Sequence, residues 1–397
     1  MGDTTIEWTD KVWNPVSGCS HVSEGCRNCY AERVFPRSYS GRKFTDVQCH
    51  PERLEQPLRW RKPQKIFVNS MSDLFHESVK YEFIDKVFAV MGLCPQHTFQ
   101  ILTKRPWRML QYLTGSRFET LQGCPKSGTT QWHIWSAACG LPGKWTLPWS
   151  WKNNVRQEID GPWPLPNVWL GVSVEDQGTA DERIPLLLST PAAIRWVSYE
   201  PALGPVNFEA VPLPDPYLKM NGINGVLQPI EERDKEPDDY KYFSKKSYRL
   251  DWIVAGGESG SHSRPPNPDW LRKVRDDCQD AGVPFFFKQH GEWGECPKPE
   301  LNEDFSGGYA VDVPYGGGGR TAISCFRENS KYFRVVDGHY LYKCGKHKAG
   351  RLLDGREWNE FPEYARERAG CGETPGLISK AAESTFSRYP IRPRSHN

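Results

Sequence analysis

The chain has 397 residues, a length that fits two or three domains or one large α/β unit with insertions. Its 51 Lys and Arg nearly balance 49 Asp and Glu, so the formal charge of +2 excludes a globally basic or acidic protein and confines any nucleic-acid surface to a local patch. Twelve cysteines are about 3 % of the chain, far under the ~8–10 % of a disulfide scaffold, and the first residues carry no basic and apolar leader; the expectation is a cytoplasmic protein whose clustered thiols bind metal or do chemistry.

In chain order, a short extended stretch around Val12 to Pro15 leads into a glycine-containing loop with Cys19, Cys26 and Cys29, and a helix is expected to begin near Tyr30. Apolar runs then recur at 66–70, 98–103, 168–174, 194–199, 252–257 and 283–288. They are near-continuous and do not alternate, as parallel strands covered on both faces require. Helical spacing appears between them: Phe83, Ile84, Val87, Phe88, Val90 and Met91 within 79–93, and Met109, Leu110 and Leu113 after Pro106. A further helix runs from an Asn267 cap and Pro268 to a Gly282 stop, with Leu271, Val274 and Cys278 on its core side. Alternating strand and helix predict an α/β fold with a parallel sheet, either doubly wound or a barrel. None of the apolar runs approaches the ~18–20 residues that span a bilayer, so no membrane is expected.

Three stretches interrupt this pattern. Residues 115–163 hold six Trp with Cys124 and Cys139 and read as an insertion; 205–248 is loop-rich and ends in a charged run; from 293 to 397 the chain carries Cys296, Cys325, Cys344 and Cys371 and a basic end, and reads as a C-terminal extension. That leaves 1–114 and 164–292 as the main body.

The three cysteines of the loop follow C-x6-C-x2-C. Three thiolates from one short loop suit a [4Fe-4S] cube whose fourth iron is left open to a small molecule. Zinc held by Cys19, Cys26 and Cys29 with His21 or His50 is the alternative, and spacing alone leaves both open. Trp13-Asn14-Pro15, the loop and Cys29-Tyr30-Ala31 resemble the cluster loop of the radical S-adenosylmethionine enzymes. Within that superfamily the chain is similar to a phage-associated family of unknown function through the blocks 69–75, 102–105, 171–175, 198–201, 256–260 and 350–358, and more distantly to spore photoproduct lyase.

The resemblance implies a partial (βα)6 TIM-like barrel, a [4Fe-4S] cluster on Cys19, Cys26 and Cys29, and S-adenosylmethionine cleaved to a 5'-deoxyadenosyl radical. It implies an electron donor such as flavodoxin or ferredoxin and, for a phage-encoded chain, the host cytoplasm. Polar residues at strand ends would then hold the cofactor: Tyr30 beside the loop and Asn69, Ser70, Ser72 and Asp73 for the methionine amino group, Thr103 and Lys104 at the next strand end with Lys104 pairing with its carboxylate, and Ser173 and Glu175 for the ribose. Glu200, Glu258 and Lys288 are the catalytic candidates, with Glu200 also within reach of the cofactor and Gln289 beside Lys288. Between loop and second strand, Arg33, Arg37, Arg42, Lys43, Arg53, Arg59, Arg61, Lys62 and Lys65 interleave with Phe35, Tyr39, Phe44 and Trp60, and Arg388, Arg392 and Arg394 follow near the end. Such a stretch suits a nucleic-acid partner, and the resemblance implies a nucleobase substrate, first of all a hypermodified thymine in phage DNA that is modified, rearranged or repaired. A photoproduct-lyase-like repair enzyme and a non-enzymatic iron-sulfur or zinc nucleic-acid-binding protein are the alternatives.

Overall fold

All six apolar runs become strands, and the extended stretch before the cysteine loop adds a seventh. In the computed structural model Lys11–Trp13 (β1), Lys65–Val68 (β2), Thr98–Thr103 (β3), Val168–Val174 (β4), Ile194–Tyr199 (β5), Trp252–Gly256 (β6) and Phe285–Gln289 (β7) form one sheet in chain order. Every neighbouring pair is parallel. Strand order that never reverses is that of a half-barrel in the TIM-like manner; a doubly wound sheet would reverse it. Residues 4, 6–115, 130–141 (Trp132 by its backbone only), 162–212, 221–223, 225, 249–296 and 332–363 are described in full, and strands at 117–121, 124–128, 150–151, 159–160, 218–220, 227–229, 300–302, 308–314 and 321–327 by backbone alone.

Side chains that alternate across each strand divide the apolar runs between two cores. Val197 and Tyr199 of β5 join Phe99, Ile101, Leu170, Val172, Ile253 and Phe285 on the outer face, under the helices. Ile194 and Trp196 turn inward to Trp8, Phe67, Trp169, Trp252, Val254 and Phe286, where indole rings meet mostly edge-on and tilted at 5–6 Å.

The helices follow their sequence signals. Tyr30–Ser38 (α1) starts directly after Cys29, and Tyr81–Gly92 (α2) buries Ile84, Val87, Phe88 and Met91. Pro106–Thr114 (α3) has its proline in the first turn. In Pro268–Ala281 (α6) Asn267 accepts a hydrogen bond from the Asp269 amide at 2.8 Å, and Gly282 ends the helix at φ 63, a left-handed conformation that costs other residues about 1 kcal/mol or more. Cys278 is fully buried there, as its place on the stripe predicts.

Three regions differ from the reading above. A helix at Gln177–Leu188 (α5) buries Ala180, Ile184, Leu187 and Leu188 behind an Asp176–Thr179 capping box; Pro185 within it hides it from a pattern search. Within the expected insertion, Thr130–Cys139 (α4) packs on α2 and sends Ile134 and Ala138 into the main core, so this part completes the outer layer. In the C-terminal region, Trp293–Cys296 (β8), Phe333–Val336 (β9) and His339–Lys343 (β10) form an antiparallel sheet in the order β8-β10-β9 around Cys296, Phe333 and Tyr342. Beyond it the chain returns to the half-barrel: Leu353 enters the outer core, Phe361 packs against the inner cluster, and the Trp252 indole donates to the Glu360 carbonyl at 2.9 Å. Most of the expected loop insertion at 205–248, the side chains of Cys124 and Cys325, and Cys371, Arg388, Arg392 and Arg394 lie outside the described residues. Among the described residues no helix is long and apolar enough to cross a membrane.

Candidate functional site

Strand parity itself builds the site. The inner face is aromatic near the N-terminal ends and turns polar toward the C-terminal ends, where Phe67 gives way to Asn69, Leu102 to Lys104, Trp169 to Ser173 and Glu175, Trp196 to Ser198 and Glu200, Val254 to Glu258, and Phe286 to Lys288. The register pairs Ser173 with Ser198, so these groups share one level at the mouth. Active sites of parallel α/β sheets lie at this end.

The cysteine loop crosses the mouth and is fastened at three points. At the first, the buried Arg105 guanidinium donates from Nη2 to the Ser20 carbonyl (3.2 Å) and Oγ (2.8 Å), and from Nη1 to Cys19 Sγ (3.6 Å) and Asp73 (3.2 Å). Its Nε donates to both Glu77 oxygens at 3.0 Å. At the second, Ser23 Oγ donates to Glu175 at 3.1 Å, and Gly25 lies so close that a Cβ there would overlap the Glu175 carboxylate. At the third, Arg264 donates to the Glu24 carbonyl (3.0 Å), and Asn28 Nδ2 donates to Glu258 (3.0 Å) and to the His262 carbonyl (2.9 Å).

Charge is closely paired here. Glu175, 1 % exposed, holds Lys104 and Arg183, the latter at 3.1 Å. Burial pulls the Lys104 ammonium below its ordinary value while charge on Cys26 opposes the shift. Burial pushes the Glu258 carboxyl up, but hydrogen bonds from the Arg264 side chain (2.6 and 2.9 Å) and backbone (2.8 Å) and from Asn28 outweigh it, and the group sits below the usual carboxylate range. Glu200 accepts from Ser198 Oγ (3.2 Å) and pairs with Lys288 (3.3 Å).

The expected cofactor residues separate into two kinds. Ser72 donates to the Val16 carbonyl at 2.9 Å, and Thr103 donates to both Asp73 oxygens (2.8 and 2.9 Å). Asp73 also takes the Lys104 and Phe75 amides, so these three side chains fix the strand ends. Gln289 likewise braces the Gly257 carbonyl and Ser259. Asn69, Tyr30, Lys104, Ser173, Glu175, Glu200 and Lys288 line the strand ends at the mouth, Asn69, Ser173 and Glu175 buried there, while the Ser70 hydroxyl donates to Asn14 Oδ1 at 3.3 Å. Asn69, at φ 63, takes the Val16 amide on Oδ1, and its buried Nδ2 has no acceptor among the described residues. Tyr30 donates to the Ser70 carbonyl at 2.5 Å while the residue stays 44 % exposed. Sequence reading missed Asn28, Arg105, Arg183 and Arg264; the Leu102–Arg105 block and the Gly-rich run before Arg264 were the available signals.

Cys19, Cys26 and Cys29 carry no disulfide. Burial pushes the Cys19 thiol up to about 11, with the Asp73 charge adding to this and Arg105 opposing it. Burial also raises Cys29, against backbone amides of Glu32 and Ala31 that reach its sulfur at the start of α1. Among the described residues no three His, Cys, Asp or Glu side chains are set to hold a metal ion as they stand. Three thiols from one loop are a donor set that a cluster with one open position can use, and a Cys3His zinc site would add an imidazole to them. His50 is engaged through both ring nitrogens, by Ser17 (2.7 Å) and Glu52 (3.1 Å), whereas His21 is engaged only at Nε2, by Glu32 at 2.7 Å, and keeps Nδ1 free among the described residues. Cys49 belongs to a separate two-residue ladder with Val16 and packs on the main core.

The expected stacking surface changes. Phe35 and Phe44 are buried, and Arg42 lies over the Phe35 and Tyr39 rings while pairing with Asp46. Arg53 and Arg59 pair with Glu52 and Glu55, and Lys65 covers Phe361. Arg33, Arg37, Lys43, Arg61 and Lys62 are exposed and have no carboxylate partner among the described residues. The Arg33 guanidinium lies against Gly260 at the mouth.

A family model described as "Protein of unknown function (DUF5131)" matches residues 3–362. Neither the curated proteins nor the solved structures include a match to the chain.

Proposed function

The chain belongs to the DUF5131 family, and from that premise we propose that it is a radical S-adenosylmethionine enzyme, built on a partial (βα)6 TIM-like barrel, that modifies, rearranges or repairs a nucleobase. The observation that carries this reading is the placement of three disulfide-free cysteines of one loop over the polar mouth of a half-barrel. Cys19, Cys26 and Cys29 would hold a [4Fe-4S] cluster, and Asn69, Ser70, Tyr30, Lys104, Ser173 and Glu175 the S-adenosylmethionine. Bound there, the two supply one-electron cleavage to methionine and a 5'-deoxyadenosyl radical.

This chain's own residues orient and shield. Lys104 and Glu175 set opposite charges side by side at the ends of β3 and β4, suited to a zwitterionic amino acid and ribose hydroxyls. Glu200 and Lys288 form a half-buried pair on the far side, where a substrate polar group can exchange for either partner. Exposed Tyr30 offers a ring at the entrance, and unpaired Arg33 and Arg37 a place for phosphates. A base in a duplex would have to leave its stack to reach the mouth; a modified thymine of phage DNA, rearranged or repaired in photoproduct-lyase fashion, is the first substrate to try, with flavodoxin or ferredoxin as electron donor.

Anaerobic reconstitution with iron and sulfide tests the proposal. Brown protein that forms 5'-deoxyadenosine with dithionite and S-adenosylmethionine is the expected outcome, and Cys26→Ala should abolish cluster and product together. A colourless zinc protein would favour a non-enzymatic nucleic-acid-binding module and sink the proposal. Nucleoside mass spectrometry of phage DNA after incubation then tests the substrate; unchanged nucleosides would count against it.

A further inference from the structure

We propose that Arg105 tunes the reduction potential of the three-cysteine site by directing a permanent positive charge at the sulfur of Cys19. This rests on the cluster reading above. Arg105 closes β3 and opens α3, and its side chain is 6 % exposed. Every nitrogen of its fork is engaged: Nε on Glu77, Nη2 on Ser20, and Nη1 on both Asp73 and Cys19 Sγ. The guanidinium therefore cannot swing away, and it does not lose its proton at any working pH.

Asp73 and Glu77 lie on its other sides. Asp73 is held there by Thr103 and the Lys104 amide, and its charge also acts on Cys19 against that of Arg105, but the side-chain group in hydrogen-bond reach of the sulfur is the Arg105 N–H. Glu77 is 66 % exposed and its charge is screened by water. A charge-assisted N–H···S bond stabilises a ligand thiolate most when the metal site is most negative, in its reduced form, and raises the potential. Among the described residues the other two sulfurs have no cationic hydrogen-bond donor: Cys26 has Ser23 Oγ at 4.0 Å and Cys29 has backbone amides. Arg105 is thus a positioning residue that acts through Cys19.

The experiment is a dye-mediated redox titration of the anaerobically reconstituted full-length protein, read by electron paramagnetic resonance, on wild type, Arg105→Lys, Arg105→Gln, Ser20→Ala and Glu77→Gln. Arg105→Gln should move the couple to more negative potential by about tenfold in the equilibrium, about 59 mV for one electron. Arg105→Lys keeps the charge and should recover most of the shift. Ser20→Ala removes the shorter of the two bonds by which Arg105 anchors the loop and keeps the charge, and should leave the potential at the wild-type value. A wild-type potential in Arg105→Gln, or equal shifts in Arg105→Gln and Ser20→Ala, would overturn the proposal and leave Arg105 a loop anchor. Should Arg105→Gln assemble no cluster, Glu77→Gln decides: deletion of an opposing carboxylate should move the couple positive, and no movement refutes the electrostatic role. A wild type that takes up no iron overturns the functional proposal itself, and this one with it.

Discussion

Glu258 shows how a strand-end carboxylate changes meaning once its neighbours are known. On the sequence it is a free acid at the barrel mouth and a catalytic candidate; in the structure both oxygens are taken by Arg264 and Asn28, and the pair ties the β6–α6 loop to the cysteine loop. Replacing Glu258 by Gln weakens hydrogen bonds made to a charge. Such bonds are worth about 1.5–3 kcal/mol each, but Arg264 is 27 % exposed and partly screened, so a loss of roughly 1–2 kcal/mol is expected in denaturant unfolding. The folded pKa is depressed, so this contribution is present above the ordinary value of 4.5 and is lost as pH falls through the folded value. The gap between wild type and Glu258→Gln should therefore shrink between pH 7 and pH 4. An unchanged unfolding midpoint combined with lost turnover would return Glu258 to the acid–base role. Glu200 and Lys288, with fewer partners, remain the groups at the mouth best able to meet a substrate.

At the scale of elements, the small C-terminal sheet docks on α6 through polar groups. His339 bonds Asp269 and Glu295, each at 2.8 Å, and Arg272 bonds Asp269 (3.1 Å), Glu295 (2.7 Å) and Asp354 (2.9 Å). Burial lowers the affinity of His339 for its proton, but the two carboxylates prevail and raise the pKa above the ordinary 6.5. Its contribution is then fully present below pH 6.5 and is lost as pH rises through the higher folded value. The melting temperature of wild type should exceed that of His339→Asn by more at pH 6 than at pH 8.5; a difference that does not vary with pH would show that the imidazolium charge contributes nothing. The same elements show what could be read beforehand. The caps and stops of α6 and the apolar stripe of α2 are local signals within one or two turns. Helix α5 was not legible because Pro185 and its charged neighbours break the stripe that Ala180, Ile184, Leu187 and Leu188 complete only against the sheet.

Across the whole molecule, the near-neutral total charge conceals an uneven distribution. Many cations of the basic window are consumed locally, and the remaining ones, Arg33 and Arg37 above all, stand one helical turn apart on α1 directly after the cysteine loop. If a nucleic acid approaches the mouth, these two carry phosphate contacts. Fluorescence anisotropy with a single-stranded oligonucleotide should give an affinity that falls with salt, and Arg33→Glu/Arg37→Glu should weaken binding across sequences and flatten the salt slope by about 1–2. Wild-type salt dependence in the double variant would remove α1 from the binding surface.

By itself the sequence determined the parallel sheet, the three-cysteine loop before α1 and, through two-residue parity, which polar side chains face inward at the strand ends. These follow from local rules of periodicity, spacing and capping. Tertiary structure alone decided which polar groups are consumed and which stand free. The partners of Arg105 on the cysteine loop lie 85 and 86 residues away, and Arg264 reaches Glu24 across 240. Phe35 and Phe44 could be counted as stacking rings until Arg42 and the packing of α1 took their faces. No periodicity encodes such pairings, because they depend on where the half-barrel brings its strand ends together.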